Sequence, residues 1–94
     1  MTALTNQQIL EQLKSLKNWI YVNNSISKEF EFKDFIEAMA FVNSLALEAE
    51  KMDHHPDILI YGWNKVKINL STHSAGGVTE KDFQLAKKIE ERLK

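Results

Sequence analysis

The longest regular pattern in this chain is a stripe of apolar side chains between residues 35 and 52. Asp34 precedes the stripe, and Glu37 lies three residues after Asp34, which is the pattern of a capped helix start. The spacing of three and four residues predicts one long amphipathic helix, whose apolar face must be buried against another layer. The stripe consists of Phe35, Ala38, Met39, Val42, Leu45, Ala46, Ala49 and Met52.

Two further helices are predicted near residues 5–17 and 80–93. Each begins at a threonine that can cap it, Thr5 or Thr79, and each carries apolar residues at helical spacing. Between the helices, short runs of alternating or β-branched residues predict strands, and the short connections between them favour antiparallel hairpins. The predicted strands cover residues 19–22, 26–32, 57–61 and 65–71.

The predicted order of elements is therefore α-β-β-α-β-β-α. A chain of 94 residues is long enough for one domain with its own core, here residues 1–94. One amphipathic sheet face and three amphipathic helices predict an α+β fold. We expect a two-layer sandwich in which three helices cover one face of a four-stranded antiparallel sheet.

Composition excludes several classes of protein. The chain has 12 basic and 13 acidic residues, a net charge of -1, and no cysteine. Binding of nucleic acid through its phosphates needs a clustered basic face, and disulfides or thiolate metal sites need cysteine. No signal peptide and no apolar run of about 18 residues is present. We expect a cytoplasmic protein without nucleic acid or membrane partners.

All three histidines fall in two short stretches, His54-His55-Pro56 and Thr72-His73. Pro56 cannot continue a helix and biases the preceding residue towards extended conformations, so the pair marks the junction between the long helix and the third strand. In an antiparallel hairpin, the start of the third strand lies beside the end of the fourth. We therefore expect residues 55–57 to neighbour residues 71–73.

Two carboxylates should join this group. Glu50 lies four residues before His54, on the same face of a helix, and Asp82 falls in the first turn of the last helix, shortly after His73. We expect these residues and His55 to converge at one end of the sheet. Imidazoles and carboxylates together suit general acid–base catalysis, because histidine titrates near neutral pH.

Other readings of these residues exist. The adjacent histidines could stabilise a helix C-terminus, Asp82 could only complete a helix cap, and Glu50 could be a solvated charge. Two or three histidines with a carboxylate can also hold zinc or iron. However, adjacent residues in an extended chain point to opposite faces, and the spacing matches no familiar metal motif. We expect no bound metal.

Taken together, these residues resemble the pterin-4a-carbinolamine dehydratase family. The family pattern is an acidic residue, three residues, His-His-Pro, an aromatic residue, nine residues, a histidine and a later aspartate. The aromatic position lies one residue further from the proline than is common, which predicts a wider turn or a β-bulge. The slots are filled by Glu50, His54, His55, Pro56, Trp63, His73 and Asp82. The stretches that match the family are Phe30–Phe35, Ala49–Pro56, Asn64–Val66, Leu70–His73 and Gly77–Asp82.

The resemblance implies dehydration of a 4a-hydroxytetrahydropterin to the quinonoid dihydropterin, as in tetrahydrobiopterin recycling, without metal or cofactor. It implies that His54 and His73 form the acid–base pair, in either order. Glu50 would orient the first of these histidines and Asp82 the second. The pterin would be bound by His55, Pro56 and Trp63.

The resemblance also implies a homodimer or homotetramer, and the first and third strands are the expected free sheet edges. Some animal members of the family act as dimerisation cofactors of a transcription factor. The alternative function is therefore a non-catalytic pterin-binding or protein-interaction module.

Overall fold

The computed structural model describes residues 2–93. Its helices and strands follow the predicted order, so the prediction of an α+β fold with an α-β-β-α-β-β-α arrangement is confirmed. A short 3₁₀ helix at His73–Ala75 follows the last strand. The elements are α1 (Asn6–Leu13), β1 (Ile20–Val22), β2 (Ser25–Glu31), α2 (Phe35–Met52), β3 (Asp57–Tyr61), β4 (Lys65–Leu70) and α3 (Glu80–Glu91).

The four strands form one antiparallel sheet in the order β1-β2-β4-β3. β2 and β4 occupy the centre, where Phe30 lies opposite Val66. β3 pairs only with β4, and its first residue, Asp57, lies opposite Asn69 near the end of β4. The first and third strands are thus the sheet edges, as predicted. This register brings the end of α2 close to the segment that follows β4.

The core lies between the sheet and the helices, but α2 presents a narrower face than the sequence pattern predicted. Phe35 and Ala46 are exposed, whereas Phe41, which the predicted stripe did not include, is buried. The ring of Phe41 lies 4.9 Å from the rings of both Phe30 and Phe32. Aromatic pairs at this separation pack favourably, which explains the rotation of the buried face towards Phe41.

The two outer helices are shorter than predicted. α1 ends at Leu13, after which Ser15 donates its hydroxyl to the carbonyl of Gln12. Asn18 then takes a left-handed φ of 67°, which asparagine tolerates and which ends regular structure before β1. α3 ends at Glu91 rather than at Leu93.

The C-terminal end of α3 is joined to α2 by Arg92. Its guanidinium donates to Ser44 Oγ at 3.0 Å and to the carboxylate of Glu48. The hydrogen bond from Arg92 lowers the pKa of Glu48 below its usual value.

Among residues 2–93, no helix combines the length and the hydropathy needed to cross a membrane.

One polar cluster interrupts the apolar side of the sheet. Lys28, on β2, donates to Glu90 Oε2 at 2.7 Å, and the same oxygen accepts from Trp19 Nε1 at 2.9 Å. The Lys28 ammonium also lies 4.9 Å from the centre of the Phe30 ring. Only 12% of the Lys28 side chain is exposed, so its charge depends on Glu90 for compensation. The cluster ties α3 to β2 and to Trp19, the residue before β1.

Replacing Glu90 with alanine should therefore destabilise the fold. We expect the free energy of unfolding to fall by about 1–3 kcal/mol, because a nearly buried ammonium loses its counter-charge and Trp19 loses its acceptor. Urea denaturation measures the free energy of unfolding of both Glu90→Ala and Glu91→Ala. Glu91→Ala is the control, since both substitutions alter helix propensity equally. Equal stability of the two variants would contradict the role given to Glu90.

Candidate functional site

An open cavity of about 400 Å³ lies where the end of α2 meets the segment after β4. All three histidines of the chain line it: His54 and His55 from the connection between α2 and β3, and His73 from the loop after β4. The predicted neighbourhood of residues 55–57 and 71–73 is thus found. The lining consists of Asp53, His54, His55, Ser71, Thr72, His73, Ser74 and Lys81.

His54 reaches the interior because α2 ends in a left-handed turn. Asp53 takes φ 50° and ψ 45°, and the amide of His54 donates back to the carbonyl of Ala49 at 3.0 Å. This is a form of the common C-terminal helix cap, in which aspartate replaces the more usual glycine. The turn carries His54 under the end of α2, where only 8% of it is exposed.

The buried partner of His54 is Asp82, which is fully shielded from solvent. Asp82 Oδ1 lies 2.5 Å from His54 Nε2, and Oδ2 accepts from Thr72 Oγ1 and from the Thr79 amide, each at 2.9 Å. A buried carboxylate is costly unless hydrogen bonds satisfy it, and here three do. An ionised carboxylate can only accept, so Nε2 of His54 donates its proton to Oδ1. An imidazole that carries its single proton on Nε2 has its lone pair on Nδ1.

His55 points to solvent instead and meets Glu50. Its Nε2 lies 2.6 Å from Glu50 Oε1, and 58% and 76% of the two side chains are exposed. The predicted pairing was Glu50 with His54 and Asp82 with His73, and both pairings are wrong. The helix ends at Met52, so the residue four positions after Glu50 no longer lies on its face.

His73 is exposed, and it begins the 3₁₀ turn in the loop after β4. The loop is closed by a bridge between Thr72 and Gly77, whose backbones exchange hydrogen bonds of 2.9 and 3.3 Å. Among residues 2–93, no side chain forms a hydrogen bond to the His73 ring. Its two ring nitrogens are therefore free to meet a ligand in the cavity.

Comparison with known proteins identifies the family. The family model described as Pterin 4 alpha carbinolamine dehydratase matches residues 2–92. The chain belongs to this family.

Two curated relatives carry the provisional name pterin-4-alpha-carbinolamine dehydratase. The protein of Picosynechococcus sp. is 54% identical over 85 residues, which is 90% of this chain and 91% of the relative. The protein of Sulfolobus acidocaldarius is 50% identical over 86 residues, 92% of this chain and 93% of the relative. Among solved structures, the transcriptional coactivator/pterin dehydratase of Brucella melitensis superposes with a TM-score of 0.92 at 40% identity. That alignment covers 97% of this chain and 98% of the other.

Four of the residues that fit the family pattern lie outside the cavity lining. Glu50 and Asp82 contact two of the histidines, whereas Pro56 and Trp63, within the described residues 2–93, form no side-chain hydrogen bond to them. Pro56 is half-buried beside the histidine pair, immediately before β3 begins. Trp63 lies at the opposite end of the β3–β4 hairpin, in a three-residue turn wider than the common two-residue type, with a left-handed φ of 60° and 62% exposure. The ladder from Asp57 to Tyr61 runs without a bulge. Pterin binding by Trp63 and Pro56 stays a prediction.

Sequence reasoning missed the threonines of the site. Thr72 was not predicted as a site residue, and Thr79 was predicted only as a helix cap. Thr72 continues the inward-facing series of β4 by the period of two, after Ile68 and Leu70, and this signal was available. A buried hydroxyl needs a hydrogen-bond partner, so an inward threonine next to His73 predicts a polar group beneath it.

Changing Asp82 to asparagine should reverse the proton position on His54. The asparagine can still accept from Thr72 and Thr79 through its oxygen, but it then offers an N–H to His54 Nε2. We expect the neutral ring to move its proton to Nδ1, as the loss of a carboxylate partner does in catalytic triads. Nitrogen-15 NMR of the imidazoles reports this change directly.

Asp34→Asn is the matched control, because Asp34 caps α2 with a 2.8 Å hydrogen bond from the Glu37 amide and asparagine caps equally well. His55 and His73 should keep their signals in both variants. An unchanged His54 tautomer in Asp82→Asn would contradict the assignment.

Proposed function

We propose that the histidine cavity catalyses dehydration of a 4a-hydroxytetrahydropterin to the quinonoid dihydropterin. The observation that carries this proposal is the meeting of three imidazoles in one cavity, one of them anchored by a buried carboxylate. Membership of the pterin 4 alpha carbinolamine dehydratase family supports the same reaction and the same class of substrate. Such an activity would serve recycling of a tetrahydrobiopterin-type cofactor.

The reaction requires two proton transfers. The bond between C4a and its hydroxyl oxygen breaks as that oxygen takes up a proton and leaves as water. N5 loses its proton, and the electron pair of the N5–H bond forms the C4a=N5 double bond. No electrons are gained or lost overall, so a redox partner is not needed. Side chains that can both donate and accept protons near neutral pH suit these steps.

In this proposal, His54 and His73 are the acid–base pair. His73 offers an unpaired ring at the cavity surface, and His54 offers the ring nitrogen that Asp82 leaves free. Asp82 then orients His54, following the logic of a base held by a third group. Glu50 orients His55 at the rim, where that imidazole is placed to bind the pterin ring by hydrogen bonds.

Stopped-flow measurement of carbinolamine dehydration tests the proposal. His54→Ala and His73→Ala should each lower kcat by about 10²–10⁴-fold, because each removes one proton-transfer group. His55→Ala should mainly raise KM, because it removes a binding contact. Gln84→Ala, on the exposed side of α3, is the control and should match the unchanged protein. Dialysis against a chelator should leave the rate intact.

Other outcomes point elsewhere. A rate equal to that of the uncatalysed reaction would favour a non-catalytic pterin-binding or protein-interaction module. Loss of activity on chelation, with recovery on adding zinc, would replace proton transfer by a metal mechanism. Unchanged turnover in both histidine variants would make the cluster structural.

We also propose that the chain forms a homodimer, or a homotetramer built from dimers, through β3. This strand is a sheet edge with free backbone groups, and Ile58, Leu59 and Tyr61 are exposed on it. An exposed apolar edge strand is a ready site for pairing with a second chain. In antiparallel pairing centred on Leu59, Asp57 of one copy would face Tyr61 of the other.

This pairing would give Trp63 a place in the site. The turn that follows Tyr61 in one copy would lie next to the residues that precede Asp57 in the other, His55 and Pro56. The exposed indole would then border the neighbouring cavity and could stack on a flat pterin ring.

Charge at the centre of β3 should prevent assembly. We expect Leu59→Lys to shift the protein to monomer, because two lysines would meet across the twofold axis. Val22→Lys on the other edge strand, β1, is the matched control and should leave the mass unchanged. Sedimentation or light scattering at micromolar concentration measures this. Pairing through β3 would be contradicted if the protein without substitutions is a monomer, or if Val22→Lys disrupts the oligomer and Leu59→Lys does not.

A further inference from the structure

The loop that carries His73 is held by a hydrogen bond from a distant hairpin turn. Residues 73–76 form the tip of the loop closed by the Thr72–Gly77 bridge. Asn24, in the β1–β2 turn, donates from Nδ2 to the carbonyl of Gly76 at 2.6 Å. Among residues 2–93, this is the one hydrogen bond that joins residues 73–76 to a part of the chain outside the loop.

The backbone conformation of the β1–β2 turn suits this contact. Asn23 and Asn24 have left-handed φ values of 51° and 63°, and Val22 pairs with Ser25 directly across the turn. These are the features of a two-residue type I′ hairpin, which favours asparagine and glycine. The carbonyl of Asn24 also accepts from Ser71 Oγ at 3.2 Å. One turn residue thus holds both the start and the tip of the loop.

The space around the loop shows why a hydrogen bond is needed there. The loop borders both the histidine cavity and a second cavity of about 290 Å³ that is lined by Asn24, His73 and Gly76, among others. His73, Ser74 and Gly76 are exposed and Ala75 is half-buried, so side-chain packing contributes little to fixing the tip of the loop. Gly77 lets the asparagine approach closely, because a Cβ at Gly77 would lie 3.1 Å from Asn24 Oδ1.

We propose that Asn24 is a positioning residue that fixes His73 for proton transfer. This inference rests on the proposed dehydratase function. Asn24 touches neither substrate nor reacting atoms in this proposal; it acts through the loop. A general acid or base must be held within a fraction of an ångström of its productive position, and a misplacement of about 1 Å can cost about 10²-fold in rate.

The turn itself supplies a matched pair of variants. Asn24→Gly removes the hydrogen bond to Gly76 but keeps a residue that favours positive φ, and it leaves the backbone carbonyl that Ser71 uses. Asn23→Gly makes the same chemical change one residue earlier, where no side-chain hydrogen bond to the loop exists among residues 2–93. Both sequences suit a type I′ turn, so both proteins should fold. Asn24→Asp is a third variant, which keeps the side-chain size but has no donor for the Gly76 carbonyl.

We expect Asn24→Gly and Asn24→Asp to lower kcat for carbinolamine dehydration by about tenfold, with KM changed by less than about twofold. Asn23→Gly should match the unchanged protein. NMR provides a second measurement that does not depend on activity. The His73 ring signals and the amide exchange of residues 73–77 should change in the two Asn24 variants, whereas His54 should keep its signals.

Each other outcome overturns a particular step. Normal kcat and normal His73 signals in Asn24→Gly would overturn the positioning role. Equal losses in Asn23→Gly and Asn24→Gly would assign the effect to the turn conformation and not to the Asn24 side chain. If the unchanged protein does not accelerate dehydration, the proposed function fails, while the NMR comparison still decides whether Asn24 holds His73.

Discussion

The buried carboxylate of Asp82 is the interaction on which the candidate site depends. It receives hydrogen bonds from His54, Thr72 and the Thr79 amide, which belong to three different segments: the turn after α2, the segment after β4 and the start of α3. A carboxylate without solvent must find such partners or lose much of its stability in the charged form. The site and the fold therefore impose the same requirement, because the three segments must meet at Asp82 for the chain to pack.

The two carboxylate–histidine pairs differ in kind. The pair of His54 and Asp82 is buried, so its geometry is fixed by packing and by the further donors to Asp82. The pair of Glu50 and His55 is exposed, and exposed pairs of this type contribute about 0–1 kcal/mol to stability, because water competes for both groups. One wall of the cavity is therefore rigid before any ligand binds. The rim is free to adjust to a ligand.

Sequence reasoning predicted the layers of this protein well because the relevant patterns are local. Alternation along β2 and β4 and the helical spacing along α2 depend only on which face is buried. The convergence of the histidines followed from hairpin geometry, which fixes neighbours without side-chain detail. The resemblance to the family then pointed to the same residues.

The errors at the candidate site lie where the chain leaves regular structure. Asp53 adopts a left-handed conformation that glycine adopts more often, so the sequence did not predict that His54 would turn inward. The partners of both carboxylates were predicted wrongly for that single reason. The burial of Phe41 depends on aromatic neighbours from β2, which helix periodicity does not contain. Trp63 matches the family pattern, but its position relative to a cavity depends on neighbours that one chain's sequence does not specify.

Three left-handed residues near the site share a physical role. Asn23, Asn24 and Asp53 occur at the ends of strands or of a helix, and each redirects the chain beside one of the two cavities that His73 lines. Asparagine and aspartate accept such conformations at low cost, and their side chains remain able to form hydrogen bonds, which glycine cannot do. A glycine at position 24 would allow the turn but could not hold the loop of His73. At this end of the molecule, the residues that shape the backbone and the residues that order the site are thus partly the same, and the chain keeps asparagine where a turn alone would accept glycine.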